Sequence, residues 1–234
     1  MLGRDHLETL GTGHNLALWR GQEGDAAGAA AALEGVLAEC LRILGPDHSL
    51  TLGNRFSLAL WRGQAGDAAG AAASLKMLLA DYLRLLGPDN PDTLMARRNL
   101  AWQWGKAGDA DGAVAAFEAV LADCVRVLGP DHTETLLTRL NLAEWPGRAG
   151  DAAGAAAVSE VALTDCLRVL GPDHPNTLGA RRSLARWLGE AGDAASAVAA
   201  FETLLARLPT GARPRQPRHP GCSREPQLLA APSW

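Results

Sequence analysis

Apolar residues along the chain recur at intervals of three and four, the spacing that places side chains on one face of an α-helix. Between residues 91 and 128 this pattern predicts two consecutive helices, a first helix A and a second helix B. The apolar face of helix A comprises Leu94, Leu100, Ala101 and Trp104. That of helix B comprises Ala113, Phe117, Val120, Leu121, Cys124, Val125 and Leu128. No stretch alternates between apolar and polar residues, so the pattern predicts an all-α protein.

Residues typical of helix ends bound both helices. Pro91 suits the first position of helix A, where its missing N–H costs no hydrogen bond. Asp109 is a natural N-cap for helix B, and Gly129 followed by Pro130 is typical of a helix C-terminus. The sequence therefore predicts a helix–turn–helix unit that ends at Gly129.

This unit recurs along the chain with a period of 42 residues. The tetrad Gly-Pro-Asp-His lies at 45–48, 129–132 and 171–174, and Gly-Pro-Asp-Asn takes its place at 87–90. A fixed period of this size indicates stacked repeats. We expect five units, at approximately residues 5–44, 47–86, 89–128, 131–170 and 173–208, followed by a disordered tail rich in proline and arginine at 209–234.

Three features distinguish individual units. One helix-A position carries Trp19, Trp61, Trp145 and Trp187, with Gln103 in the third unit, and we expect it to pack in the core or between repeats. Pro146 should end or kink the fourth helix A a turn early, because it removes a helical hydrogen bond. The first helix A lacks a preceding helix B in this sequence, so we expect it to expose an apolar side and to dimerise or fray.

The repeating unit resembles the tetratricopeptide repeat family. The residues that carry the resemblance are Arg97, Leu100, Ala101, Trp104, Ala113 and Phe117, although the family usually has Trp where Arg97 stands. The length of the unit and its Gly-Pro-Asp-His junction are similar to the 42-residue variety found in kinesin light chains and bacterial repeat proteins. The resemblance implies a right-handed α-solenoid of five helix–turn–helix repeats with ten helices.

Composition adds little to this picture. The chain has 234 residues, 47% hydrophobic content and a net charge of −4, which is too mild to indicate a nucleic-acid partner. No apolar stretch is long enough to span a membrane, and the N-terminus has no basic-then-apolar signal. We therefore expect a cytoplasmic protein with neither a nucleic-acid nor a membrane partner.

The candidate chemical groups are interpreted as structural. His6, His48, His132 and His174 recur once per unit, but adjacent repeats lie too far apart to share one metal ion, and Asn90 breaks the series. We expect these residues to cap helix A. Cys40, Cys124 and Cys166 share one position with Tyr82, which indicates packing without disulfides. No catalytic or phosphate-binding motif is present, so we expect no enzyme activity, cofactor or metal.

The resemblance implies a function in binding a protein or peptide segment in a concave groove lined by the A helices. The candidate groove residues are Asn15, Arg98, Asn99, Trp102, Lys106, Asn141, Arg182 and Arg186. Arg98, Trp102 and Lys106 follow one another at four-residue spacing and should form one stripe of a helix. An aromatic residue flanked by cations favours a peptide with an apolar anchor and a carboxylate.

Two alternatives remain open at this point. The array could be the sensor or oligomerisation part of a larger bacterial regulatory protein, of the nucleotide-binding or transcription-regulator type. It could also be a structural solenoid that self-associates through its exposed terminal repeats.

Overall fold

The computed structural model describes residues 7–207, and this part of the chain is α-helical with no strand. The helices are α1 (Leu7–Gln22), α2 (Ala26–Leu44), α3 (Ser49–Gln64), α4 (Ala68–Leu86), α5 (Pro91–Lys106), α6 (Ala110–Leu128), α7 (Thr133–Leu142), α8 (Trp145–Arg148), α9 (Ala152–Leu170), α10 (Pro175–Glu190) and α11 (Ala194–Leu205). The predicted helix–turn–helix repeat fold is confirmed. The tail predicted at 209–234 and the histidine at position 6 lie outside the described residues.

The chain divides into two compact units, Met1–Glu134 and Thr135–Trp234. In the first unit, each helix from α1 to α6 packs against the next, and α3 also contacts both α1 and α5. In the second unit, α9 packs against α8 and α10, and α10 packs against α11. Each unit is therefore built from helix pairs that share faces with their neighbours.

Every B helix begins at an aspartate that caps it. The Asp109 carboxylate accepts a hydrogen bond of 2.9 Å from the Gly112 N–H, and Asp25, Asp67, Asp151 and Asp193 make the equivalent bond in their own pairs. Such a bond satisfies one of the N–H groups that the first helical turn leaves unpaired. The N-cap predicted for Asp109 is confirmed and extends to all five B helices.

The Gly-Pro-Asp-His junction ends each B helix and starts the next A helix. Gly87 has a φ of 83°, a left-handed conformation that glycine adopts without steric cost. The His48 Nδ1 accepts a hydrogen bond of 3.1 Å from the Leu50 N–H, and the Asn90 side chain accepts one of 2.9 Å from the Asp92 N–H. The capping role predicted for the histidines is confirmed for His48, His132 and His174, and Asn90 makes the same bond at the junction where asparagine replaces histidine.

An ion pair explains why arginine stands where the family usually has tryptophan. Arg97 on α5 donates to Asp123 on α6 at 2.6 Å, and Arg126 links Asp123 at 2.9 Å to Asp89 at 2.6 Å. These hydrogen bonds from Arg97 and Arg126 lower the pKa of Asp123. Arg55 makes the equivalent contact with Asp81. The two helices of a pair are therefore joined here by charge in addition to apolar packing.

The fourth helix A is broken where the sequence predicts it. Helix α7 ends at Leu142, two residues in a turn follow, and the short α8 begins at Trp145. Pro146 stands at the second residue of α8, where its missing N–H is tolerated. The ten predicted helices are present in the described chain, one of them as two segments.

A residue of one helix pair lies against a glycine of the preceding pair. A Cβ atom added to Gly21 of α1 would lie 2.5 Å from the indole of Trp61, and Gly63 of α3 stands equally close to Gln103. In the second unit, Trp187 covers Gly147 in the same manner. The inter-repeat packing predicted for the tryptophan position is confirmed for Trp61 and Trp187, and Gln103 occupies the same place.

Candidate functional site

Three apolar side chains at one repeat position lie on the A helices of the first unit. Leu18 on α1, Leu60 on α3 and Trp102 on α5 are all half-buried, and they are called the apolar strip below. Because α3 contacts both α1 and α5, the strip crosses three neighbouring helices. One turn further along each helix stand the exposed polar residues Gln22, Gln64 and Lys106. The strip thus offers apolar area with a polar border.

Arg98 does not join this surface. Its side chain is 2% exposed, and its Nη1 lies 2.9 Å from Oε2 of Glu134, which is also buried. A buried guanidinium with a carboxylate partner is held by that pair and does not face solvent. The stripe of Arg98, Trp102 and Lys106 that the sequence suggests is therefore interrupted, because Arg98 has a structural partner.

Two of the three predicted asparagines are buried. Asn99 is buried, and its Nδ2 donates a hydrogen bond of 2.8 Å to the Met95 carbonyl one turn earlier. Asn141 in the second unit is also buried, whereas Asn15 is half-buried. Of these three amides, that of Asn15 is the most accessible to a ligand.

Lys106 is exposed and contributes to packing between repeats. Its Nζ donates a hydrogen bond of 2.7 Å to the Gly63 carbonyl in the last turn of α3. The final carbonyls of a helix have no partner within it, and lysine commonly supplies one. Lys106 therefore links α5 to the end of α3 at the border of the apolar strip.

In the second unit the strip position is charged. Glu144 pairs with Arg148 at 2.8 Å and with Arg186 at 3.1 Å, and Arg186 also pairs with Glu190 at 2.8 Å. The guanidinium of Arg186 lies 3.9 Å from the centre of the Trp187 ring. The predicted binding residue Arg186 thus already has two carboxylate partners. Arg182 is exposed and makes no ion pair with another residue between 7 and 207.

His14 lies close to the strip on α1, at the repeat position of Arg98. It is half-buried, and its Nδ1 donates to Oδ1 of Asn54, a fully buried residue of α3, at 3.0 Å. Burial lowers the pKa of His14, and the hydrogen bond to Asn54 opposes this in part. The imidazole therefore links α1 to α3, which belong to two different helix pairs.

A second concave surface lies among α2, α3 and α4. It has a volume of about 340 Å³, and its lining includes Leu37, Leu41 and Met77 together with the ion pair of Arg62 and Glu34. Leu41 and Met77 are exposed. This groove offers an alternative location for a ligand, on the side of the B helices.

The cysteine position is filled by packing, as predicted. Cys40, Cys124 and Cys166 are buried and form no disulfide among the described residues, and Tyr82 is buried at the same position. Burial raises the pKa of the Cys40 and Cys166 thiols and raises that of Tyr82 to about 12. Thiols of this kind are poor nucleophiles, because the thiolate is the reactive form.

Between residues 7 and 207, no cluster of three histidine, cysteine or acidic side chains has a geometry suited to a metal ion. None of the helices described combines the length and the apolar character that crossing a bilayer requires.

The sequence singled out Trp102 but not the whole strip. Residues 16–22 and 58–64 have the same sequence, Leu-Ala-Leu-Trp-Arg-Gly-Gln, so Leu18 and Leu60 could have been recognised as equivalent partners of Trp102. The pairing of Arg98 with Glu134 had no comparable signal, since the two residues belong to different repeats and occupy different repeat positions.

The family model described as tetratricopeptide repeat matches residues 9–50, 93–134 and 135–176. No curated protein sequence matches the chain. The crystal structure of a candidate kinesin light chain from Podospora anserina with nearly identical TPR-like repeats has a TM-score of 0.71 and 25% identity, covering 86% of this chain and 96% of that chain.

Two further solved structures are similar in fold. BtubC from P. vanneervenii has a TM-score of 0.67 and 20% identity, covering 87% of this chain and 82% of that chain. PlcR of Bacillus thuringiensis, solved in complex with the peptide PapR7 and DNA, has a TM-score of 0.59 and 12% identity, covering 86% of this chain and 69% of that chain. The matched repeats make up more than half of the sequence, and the chain belongs to the tetratricopeptide repeat family.

Proposed function

We propose that the chain is a non-catalytic protein-interaction module and that its first unit binds a peptide segment through the apolar strip of Leu18, Leu60 and Trp102. The observation that carries the proposal is the partial exposure of three large apolar side chains at one repeat position. Packing between repeats does not require apolar residues there, because the second unit has Glu144 and Arg186 at the same position. Large apolar residues left partly exposed side by side are typical of interaction surfaces.

The composition of the strip suggests the chemistry of the ligand. Apolar side chains of the peptide would pack against Trp102 and the two leucines, with the indole as the main anchor. The exposed amides of Gln22 and Gln64 stand one turn away and suit hydrogen bonds to a peptide backbone. Because Arg98 is paired with Glu134, we propose that the strip recognises apolar side chains of the ligand and does not require a carboxylate.

The solved neighbours support a binding role without identifying the partner. PlcR was solved with a bound peptide, so a chain of similar fold accommodates one. The same complex contains DNA, which is in keeping with the alternative that this array belongs to a larger regulatory protein; any nucleotide or DNA binding would then reside outside the repeats. The cytoplasmic location stays a prediction.

A peptide-display selection tests the proposal. A random library would be panned against the full chain and, in parallel, against Trp102→Ala. We expect the enriched peptides to share at least two large apolar residues and to lose enrichment on the variant. Met77→Ala is the matched control, because Met77 is a large exposed apolar residue on the other groove. Equal enrichment on wild type and Trp102→Ala, or a loss on Met77→Ala alone, would refute the proposed site.

A further inference from the structure

Two segments of identical sequence have opposite exposure. Residues 16–22 and 58–64 share the same seven residues. Trp61 is 5% exposed and Leu58 6%, but Trp19 is 60% exposed and Leu16 61%. This seven-residue sequence is therefore suited to packing against another helix pair. On α1, no described residue packs over Leu16 and Trp19 in this way. Leu16 and Trp19 are called the leading face below.

The contact that buries Trp61 shows what the leading face requires. Leu58 and Trp61 pack on residues of the preceding helix pair, and Trp61 also lies against Gly21. The receiving residues are Ala17, Ala29, Ala30 and Leu33. A receiving surface therefore consists of small residues, one larger apolar residue and a glycine that leaves room for the indole.

The last helix pair carries such a receiving surface at the equivalent repeat positions. Its members are Ala185, Gly189, Ala197, Val198 and Phe201, called the trailing face below. Residues 113–118 and 197–202 are identical in sequence, yet Phe117 is 0% exposed and Phe201 is 40% exposed. Only the Ala197 Cβ, at 3.5 Å, would lie near a Cβ added to Gly189. Among residues 7–207 nothing occupies the place that Trp61 takes over Gly21.

Charge also matches between the two faces. Within the first unit, Arg62 of α3 pairs with Glu34 of α2 at 2.6 Å, next to the contact of Trp61 with Gly21. The equivalents of these residues are Arg20, beside the leading face, and Glu202, beside the trailing face. Both are exposed, and neither makes an ion pair with another residue between 7 and 207.

We propose that a second copy of this chain covers these faces, with the leading face of one copy on the trailing face of the next. Trp19 would lie over Gly189 of the second copy, and Arg20 would pair with its Glu202. The contact repeats one already present inside the first unit, with Val198 and Phe201 in place of Ala30 and Leu33. It is heterologous, because two different surfaces meet, and each added copy brings a free face of each kind. The proposal is independent of peptide binding, since Leu60 and Trp102 belong to neither face.

Sedimentation of the full chain over a wide concentration range is the first test. We expect the average mass to rise with concentration and the association constant to fall at least tenfold in Trp19→Ala, because a buried tryptophan is a typical hot spot. Trp102→Ala should associate as the wild type does. The proposal is overturned if the average mass stays at that of a single copy at every concentration.

Gly189→Ala separates the contact from folding. Gly189 lies in α10 with room for a methyl group, so the variant should be at least as stable as the wild type, since alanine favours helix. Its Cβ would stand where the Trp19 indole must pack, and self-association should be lost. Association of full strength in a folded Gly189→Ala overturns the proposal.

A charge exchange identifies the two surfaces that meet. Arg20→Glu places two acidic groups at the contact, and Glu202→Arg places two basic groups there, so each variant alone should associate less than the wild type. An equimolar mixture of the two restores opposite charges at every contact and should associate again. The head-to-tail arrangement is contradicted if the average mass of the mixture does not exceed that of either variant alone. It is also contradicted if association still depends on Trp19 but is unchanged by both charge substitutions.

Discussion

Arg98 and Glu134 form an ion pair of 2.9 Å in which both side chains are buried. The pair joins α5 to the start of α7 within the first unit. A charge buried with its partner is costly to leave alone, because it can neither reach water nor find a new partner. The arginine that the sequence suggests for ligand binding therefore stabilises the contact between repeats.

Arg98→Ala is expected to lower the free energy of unfolding by about 3–5 kcal/mol, the usual cost of breaking a buried pair. Urea denaturation of the variant measures this loss. The double variant Arg98→Met with Glu134→Leu removes both charges and should recover most of it. A single variant with wild-type stability would mean that the pair contributes nothing.

Gly21→Ala is expected to lower stability by about 1–3 kcal/mol, since its Cβ would overlap the rigid Trp61 ring and force a shift. Gly63→Ala should cost less, because the flexible Gln103 side chain can move away. Gly53→Ala is the control: no described atom outside its own helix backbone would lie within 4 Å of its Cβ, and alanine should stabilise the helix. Thermal unfolding of the three variants tests the order, and equal losses would contradict it.

His48→Asn should keep its stability, because Asn90 caps α5 in the same way that His48 caps α3. His48→Ala leaves the Leu50 N–H without its side-chain partner and should cost about 1 kcal/mol. Chemical denaturation of both variants gives the comparison. Equal stability of His48→Asn and His48→Ala would show that the side-chain cap does not contribute to the free energy of unfolding.

The stability of the first unit should depend on pH through His14. Burial lowers the pKa of His14 in the folded chain from its ordinary value of 6.5, so the folded state favours the neutral ring. Above pH 6.5 the ring is neutral in both states, and His14 does not affect the free energy of unfolding. As the pH falls from 6.5 towards the lowered pKa, the unfolded chain binds a proton more readily than the folded chain, so the free energy of unfolding decreases.

Urea midpoints at about pH 7.5 and about pH 5.5 measure this dependence, since histidine changes charge between them. His14→Gln cannot titrate and keeps a hydrogen-bond donor for Asn54, so its midpoint should change less between the two conditions. An identical change in wild type and variant would assign the pH dependence to other groups.

Most of the backbone could be predicted from the sequence, because its helix ends are marked by residues that act locally. Pro91 begins α5, and α6 lies between Asp109 and Gly129, as the turn residues indicate. Pro146 likewise acts on its own helix. Local rules of this kind need only neighbouring residues and the repeat period.

The site was less predictable because exposure depends on contacts between helices. Arg98 and Trp102 are one turn apart on α5 and look equally suited to a groove, yet Glu134 buries the first and leaves the second half-exposed. Arg186 likewise looked suited to a ligand, but it forms an ion pair with Glu144 of the preceding helix pair. Identical residues even differ in exposure, as Trp19 and Trp61 do, so residue type alone could not identify the free surface.

Calorimetric titration of a display-selected peptide into the full chain and into Trp102→Ala tests the proposed binding surface most directly. We expect the variant to lose about 2 kcal/mol of binding free energy, which is the threshold of a hot spot. Met77→Ala and Arg182→Ala should retain the wild-type affinity. Full affinity in Trp102→Ala would rule out the apolar strip as the binding surface, and a loss confined to Met77→Ala would place the ligand in the groove among α2, α3 and α4.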